Sequence, residues 1–139
     1  MTNFLRSASP LPFLTVPGLL LISTFAWAHH GWTGYTSDIE ATLVVTELHL
    51  GAAHDQLVAT DSEGQTWDLV LATPNRNRRL GFNEDTLSVG DEIDILGRLH
   101  PSRPEIKVHC IYMNGEATYT YYDFDGTTSL SKHSDRDQC

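Results

Sequence analysis

The feature that most constrains the fold is an alternation of apolar and polar residues that recurs between residues 41 and 123. The alternating segments are rich in β-branched and aromatic residues and are separated by Gly, Asn and Asp, which is typical of strands with one buried face. The predicted strands cover residues 41–50, 55–61, 66–72, 91–100, 105–113 and 117–123. We therefore expect a mainly β domain of five to six strands.

A segment without this alternation, residues 73–90, separates the third and fourth predicted strands. Pro74 stands where a first helical residue would, and Gly81 stands where a helix would end, so one short helix is predicted there. The order of elements is typical of the OB-fold, a small Greek-key barrel, whereas a β-sandwich usually needs more strands. We expect an OB-fold-like barrel in which Gly97 permits a close approach of two backbones.

The N-terminal residues 1–28 have the features of a secretory signal peptide. Arg6 provides a positive charge, residues 11–25 are largely apolar, and Ala26 and Ala28 form an A-x-A cleavage site. The apolar run is interrupted by prolines and falls short of the ~20 residues that a membrane-spanning helix needs. We therefore expect a periplasmic or secreted protein with no membrane span after cleavage. Its predicted parts are an N-terminal arm at 29–40, the barrel at 41–123 and a polar, flexible tail at 124–139.

The charge and the motifs narrow the classes of function. The chain has 9 Lys and Arg against 18 Asp and Glu, a net charge of −9, which repels phosphate backbones and argues against a nucleic-acid partner. The sequence contains no G-x-S-x-G, H-E-x-x-H or C-x-x-C motif and no phosphate-binding glycine-rich loop. We interpret the chain as a binding protein rather than an enzyme, with copper-dependent redox catalysis as an open alternative. The oligomeric state is not determined by the sequence.

The two cysteines, Cys110 and Cys139, leave two alternatives open. An oxidising compartment after export permits a disulfide between them. Cys110 also lies in the apolar stretch "IKVHCIYM", where a small buried residue is common, while Cys139 follows a polar segment and could stay free. The sequence alone does not choose between them.

Cleavage after Ala28 would make His29 the first residue of the mature chain. The α-amine and the imidazole Nδ1 of an N-terminal histidine can chelate one metal ion, so a single residue supplies two nitrogen ligands. A further imidazole completes a three-nitrogen set suited to copper, which prefers tetragonal nitrogen and oxygen coordination. This arrangement resembles the copper brace of lytic polysaccharide monooxygenases, at His29 alone. The alternative is that His29 merely follows the cleavage site.

A second imidazole could come from His30, His54, His100 or His109, and the predicted metal ligands besides His29 are the first three of these. His54 lies in the loop after the first strand and His100 ends the fourth strand, and strand direction suggests that both lie on one rim of the barrel. Loop histidines also commonly cap turns or bind backbone carbonyls, which is the competing interpretation. The remaining histidines are expected to face outward or to be solvated: His49, His109 and His133.

Two further clusters bear on function. Trp32 and Tyr35 follow the paired histidines, and we predict that they anchor the N-terminal arm to the barrel, which would hold His29 in a fixed place. Three arginines lie near the predicted helix, at Arg76, Arg78 and Arg79. They either bind an anionic ligand or form a solvated face that pairs with nearby acidic residues.

Five segments, "AHHGW", "VTELHLGAAH", "TWDLVLATPNRNRRLGF", "LSVGDEIDILGRLHPSRP" and "IYMNGEATY", together resemble a family of small exported bacterial proteins that is classed as a domain of unknown function. The resemblance covers residues 28 to about 120. It implies a periplasmic OB-like barrel whose mature chain begins with a His-His pair. It matches His29 and His30 to that pair, His54 to a loop histidine and His100 to the histidine after the fourth strand. The family's Asn-Pro before the loop histidine is Ala52-Ala53 here.

Two functions follow as expectations. The first is an exported periplasmic binding protein that binds copper or another transition-metal ion through its mature N-terminal histidine. The alternative is a metal-free structural or interaction domain that binds an envelope protein. This second function predicts a contiguous apolar patch on the surface.

Overall fold

The computed structural model describes residues 31–139, so the predicted signal peptide and the predicted ligands His29 and His30 lie outside the described residues. The strands are β1 Ser37–His49, β2 Gln56–Thr60, β3 Thr66–Val70, β4 Glu92–Leu99, β5 Glu105–Met113 and β6 Glu116–Thr120. Two short helices complete the fold, α1 Pro74–Arg79 and α2 Ser129–His133. The predicted short helix between the third and fourth strands is α1.

The strands form one curved sheet that closes on itself. Its order is β3-β2-β1-β4-β5-β6, and β3 also pairs in parallel with β5. The pairing of β3 with β5 closes β1 to β5 into a five-stranded barrel, and β6 adds one antiparallel strand to β5. The predicted mainly β, OB-like barrel is confirmed.

The barrel interior is filled by the apolar side of the alternation seen in the sequence. In β4, Ile93 and Ile95 are each 1% exposed, whereas Glu92 and Asp94 are exposed to solvent. Each buried aliphatic side chain contributes about 1.5–3 kcal/mol by leaving water, so the strands gain stability only in the register that turns this side inward. The predicted inward and outward faces of β4 are confirmed.

A β-bulge interrupts the pairing of β4 with β5. Leu96 is paired with Cys110 and Gly97 with Val108, which leaves His109 as an extra residue on β5. An extra residue changes which face the following side chains occupy. Val108 therefore packs in the barrel core, while Cys110 packs with Leu96 in a separate cluster.

Gly97 is required at this bulge by the close approach of the next strand. A Cβ atom added to Gly97 would lie 2.6 Å from the backbone oxygen of Lys107 and 2.6 Å from Ile106 Cγ2. Both distances are shorter than the ordinary contact distance between non-bonded atoms, so only glycine fits without movement of β5. The predicted close backbone approach at Gly97 is confirmed.

The structure differs from the expectation of a polar, flexible tail at residues 124–139. This segment contains α2, and Cys139 forms a disulfide with Cys110 of β5, with their Cα atoms 5.6 Å apart. Leu130 of α2 is 4% exposed and packs against Leu96 and Cys110. One leucine and one cysteine are too few to give a periodic pattern, yet they fix the segment against the barrel. At the other end, β1 begins at Ser37, inside the predicted arm.

Candidate functional site

Two segments that lie outside the barrel meet on β5. Trp32, from the N-terminal segment, stacks on His109 with ring centroids 4.0 Å apart and planes 6° from parallel. His133, the last residue of α2, lies 5.2 Å from the Trp32 ring and 5.6 Å from the His109 ring. Tyr121 meets the edge of Trp32 at 5.1 Å. We call these four residues the Trp32 cluster.

His109 is the most enclosed titratable group of the cluster. It is 3% exposed, and its Nδ1 lies 2.7 Å from the hydroxyl oxygen of Ser129, the first residue of α2. Burial, followed by the nearby charge of His133, lowers the pKa of His109 to about 4. Burial also lowers the pKa of His133. Both imidazoles are therefore neutral at pH 7.

Both histidines were expected at the surface, and the structure places both under other segments. His109 does lie in a strand where its neighbour Val108 faces the core, but Trp32 and α2 cover it. His133 is partly buried against Trp32 rather than fully solvated. Alternation along a strand tells which side a residue occupies, but it carries no information on what covers that side.

Lys107 ties the N-terminal segment to β5. It is 2% exposed, and its Nζ donates a hydrogen bond to the backbone oxygen of Gly31 at 3.2 Å. The ammonium group lies 5.1 Å, 5.7 Å and 5.6 Å from the ring centroids of Trp32, Tyr35 and Tyr121, distances at which cation–π attraction acts. Burial lowers the pKa of Lys107. A single lysine within the apolar stretch of β5 was the one sequence signal for this contact.

Tyr35 provides a second anchor for the N-terminal segment. Its hydroxyl donates a hydrogen bond to the Glu105 carboxylate, which also pairs with Arg103 at 2.8 Å. Burial and the bond to Glu105 raise the pKa of Tyr35, so the phenol keeps its proton. Together with the stacking of Trp32, this bond confirms the prediction that Trp32 and Tyr35 anchor the arm to the barrel.

A pocket of about 200 Å³ opens beside the two imidazoles, between β1, β4 and α2. His109 and His133 contribute to its wall, and Leu96 and Leu130 supply apolar surface. The charged residues that line it are Asp38, Glu40 and Arg136. Arg136 pairs with Glu40 at 3.0 Å across the exposed surface, where such pairs are worth less than about 1 kcal/mol.

The structure places the predicted ligands His54 and His100 in different surroundings. His54 Nδ1 lies 2.9 Å from the backbone oxygen of Leu71. His100 Nδ1 accepts a hydrogen bond from the Ser102 backbone at 3.2 Å, and its ring lies 5.7 Å from that of Tyr35. Both are partly exposed.

Strand direction does not bring His54 and His100 to one rim of the barrel, as was predicted. β1 and β4 are antiparallel, with Ser37 paired to Leu99, so the end of β4 lies beside the start of β1 rather than beside its end. His100 follows the end of β4, whereas His54 lies in the loop after β1. Within residues 31–139, no group of three or more His, Cys, Asp or Glu side chains is placed to hold a metal ion.

The loop that carries His54 is fixed by a buried polar network that the sequence analysis missed. Asp55 is 2% exposed and accepts hydrogen bonds from Asn77 Nδ2 at 2.7 Å and from the Gly51 backbone at 2.8 Å. Asn77 also donates to the Ala72 backbone oxygen at 3.0 Å, which joins α1 to the end of β3. Both Asp55 carboxylate oxygens accept hydrogen bonds here, so the network positions the loop through satisfied buried polar groups.

The predicted arginine cluster divides between two roles. Arg78 lies 3.9 Å from Glu84 at the surface, a weak local pair. Arg76 lies over the ring of Phe124 at 4.0 Å and donates to the Tyr122 backbone oxygen at 2.8 Å. With Arg79 it lines a groove of about 600 Å³ between α1 and the loop after β6.

No protein-family model, no curated protein and no solved structure matches this chain. The resemblance to a family of exported proteins therefore stays a prediction from the sequence segments that carry it. Among residues 31–139, no helix is both long enough and apolar enough to cross a membrane.

Proposed function

We propose that this protein is an exported binding protein, periplasmic or secreted, that binds copper or another transition-metal ion through His29 of its mature chain. The observation that carries this proposal is the anchoring of Trp32 on His109. His29 precedes the anchored Trp32 by only three residues in the sequence. A chelating residue tethered this closely has less freedom to lose when it binds an ion.

The disulfide supports export. Cys110 and Cys139 are bonded, and stable disulfides are typical of proteins in oxidising compartments outside the cytosol. Cleavage after Ala28 would remove only residues that precede the described part of the chain. It would leave the anchors Trp32 and Tyr35 and the whole barrel in place.

The chelate requires the free α-amine of His29, which makes the proposal testable by an N-terminal extension. The experiment is a copper(II) titration at pH 7 of the processed protein beginning at His29 and of the same protein with three alanines added before it. Three residues are added because a histidine at position two or three of a chain also binds copper(II), through the terminal amine and the intervening backbone amides. We expect at least a ten-fold loss of affinity on extension, because the extension converts the amine of His29 to an amide. Equal affinities would refute the role of His29.

The predicted imidazole ligands are tested in the same titration. His30→Gln, His54→Gln and His100→Gln each remove one candidate donor, and a weaker affinity identifies the donor that completes the set. His49→Gln is the matched control, because His49 is exposed and pairs with Glu47 at 2.8 Å. Mass spectrometry of the exported protein reads the cut site directly. A mature chain that starts at another residue would overturn the proposal.

A second candidate function is the metal-free interaction domain, and one observation favours it. Phe124 is 94% exposed and Leu80 is 51% exposed, and both line the groove that holds Arg76 and Arg79. An envelope protein that fits this groove would present an apolar side chain flanked by carboxylates. A photo-crosslinker at position 124 of the exported protein should then form one defined adduct that Arg79→Glu abolishes. A crosslinker at exposed Val89 is the control and should form no adduct. Absence of the adduct at position 124 would refute this function.

A further inference from the structure

Two imidazoles from distant parts of the chain converge on one pocket. His109 is the bulge residue of β5, His133 ends α2, and both belong to the wall of the same 200 Å³ pocket. Their ring centroids are 5.6 Å apart, with an angle of 36° between the planes. Two imidazoles that share one ion at about 2.0–2.1 Å from each nitrogen have centroids about 5–6 Å apart. The separation therefore fits a shared ion.

The hydrogen bonding of His109 leaves one ring nitrogen for a ligand. Nδ1 is engaged by the Ser129 hydroxyl at 2.7 Å, and no hydrogen bond to Nε2 is found within residues 31–139. Histidines that bind metals usually direct the second ring nitrogen to a hydrogen-bond partner, which fixes the ring orientation. Ser129, which is fully buried, is placed to do this for His109.

The carboxylates that line the pocket are already paired with arginines. Asp38 pairs with Arg98 and Glu40 pairs with Arg136, each at 3.0 Å. The donors left for an ion are therefore the imidazole nitrogens of His109 and His133, and the net charge of −9 adds a general attraction for cations.

Trp32 packs against both imidazoles. Its ring is 4.0 Å from His109 and 5.2 Å from His133. We propose that His109 and His133 form a two-imidazole site for a transition-metal ion, independent of the chelate proposed at His29.

The test uses the extended protein, in which the α-amine of His29 is no longer free, with the disulfide intact. His133→Gln removes the more accessible imidazole, and His49→Gln is the control on an exposed histidine. We expect His133→Gln to weaken zinc(II) binding at least ten-fold, while His49→Gln leaves it unchanged. An unchanged zinc(II) affinity in His133→Gln would overturn the inference.

His109→Gln is a further variant, but loss of a buried imidazole can also impair folding. A measurement on the unaltered protein avoids this difficulty. On addition of zinc(II), the ring proton signals of His109 and His133 should shift together at one equivalent, and those of His49 should not. Shifts confined to other histidines would contradict a site at this pair.

The extended protein separates the failure of this inference from the failure of the proposed function. If the extension abolishes copper(II) binding and His133→Gln does not weaken zinc(II) binding, the N-terminal site stands and the two-imidazole site is refuted. If His133→Gln weakens zinc(II) binding in both the processed and the extended protein, the two-imidazole site stands without His29. If neither change weakens binding, both are refuted.

Discussion

Trp32 and His109 are stacked face to face, with centroids 4.0 Å apart and planes 6° from parallel, although they are far apart in the sequence. This contact brings the segment that precedes the barrel onto β5 at the bulge. α2 covers the same place through Ser129 and His133. Both ends of the described chain are thereby coupled to a single strand, so a change at one end should be detected at the other.

Trp32→Ala should destabilise the protein and weaken metal binding together. Trp32 is 8% exposed and packs on His109 and Tyr121, and loss of a buried aromatic ring costs about 3–5 kcal/mol. We expect a fall of that order in the free energy of unfolding in urea, together with a weaker copper affinity of the processed protein. Unchanged stability would show that the stack does not anchor the segment. Phe124→Ala, which removes a ring that is 94% exposed, is the control.

Protonation of His109 should destabilise the metal-free protein. Burial, followed by the charge of His133, lowers the pKa of His109 to about 4 in the folded state, below its ordinary value of 6.5. The unfolded state then binds more protons between these values, so the stabilisation is complete above pH 6.5 and is lost as the pH falls to 4. The full loss is up to about 3 kcal/mol. Urea unfolding at pH 4 and pH 7 with a chelator present should show this slope.

The same pH series on His109→Gln identifies the source of the slope. The variant lacks the titrating group, so its stability should change less between pH 7 and pH 4 than that of the unaltered protein. Proton NMR supplies an independent check. A His109 ring that titrates near pH 6.5 in the folded protein would contradict the prediction.

Cys139→Ser should release the C-terminal segment while the barrel stays folded. The disulfide closes a loop across a sequence separation of 29, and the loop-entropy relation gives a stabilisation of about 3–4 kcal/mol. We expect faster hydrogen exchange at α2 and a lower free energy of unfolding, and reduction of the unaltered protein should reproduce both. Protection of α2 that is unchanged in the variant would mean that Leu130 and Ser129 hold the helix without the disulfide.

Gly97→Ala should disturb the bulge that presents His109. The added Cβ would meet the Lys107 backbone oxygen at 2.6 Å, so β5 must move, and overpacking of this kind costs about 1–3 kcal/mol. Gly34→Ala is the matched control, because no atom lies within 4 Å of its added Cβ. Thermal unfolding should separate the two variants. A Gly97→Ala protein as stable as the control would contradict the proposed role of the bulge.

The strands of the barrel could be predicted because their signal is local. In β4, Ile93 and Ile95 alternate with acidic residues because one face of the strand is buried and the other is exposed to water. Any sheet that buries the apolar face satisfies this pattern. Gly97 was found for a similar reason, since a glycine within an otherwise regular strand indicates close backbone contact. Trp32 and Tyr35 were expected to anchor the arm because large aromatic groups seldom remain in water.

The Trp32 cluster, in contrast, depended on tertiary structure. The bulge gives β5 one more residue than its partner, so the face of Cys110 cannot be counted from Val108. His133 and Cys139 reach β5 because α2 folds back over it, a result of one leucine and one disulfide rather than of any repeating pattern. The sequence by itself determined which residues alternate between core and solvent. Only the folded chain decided which distant side chains cover the outer face of β5, because such contacts depend on the path of the backbone through space.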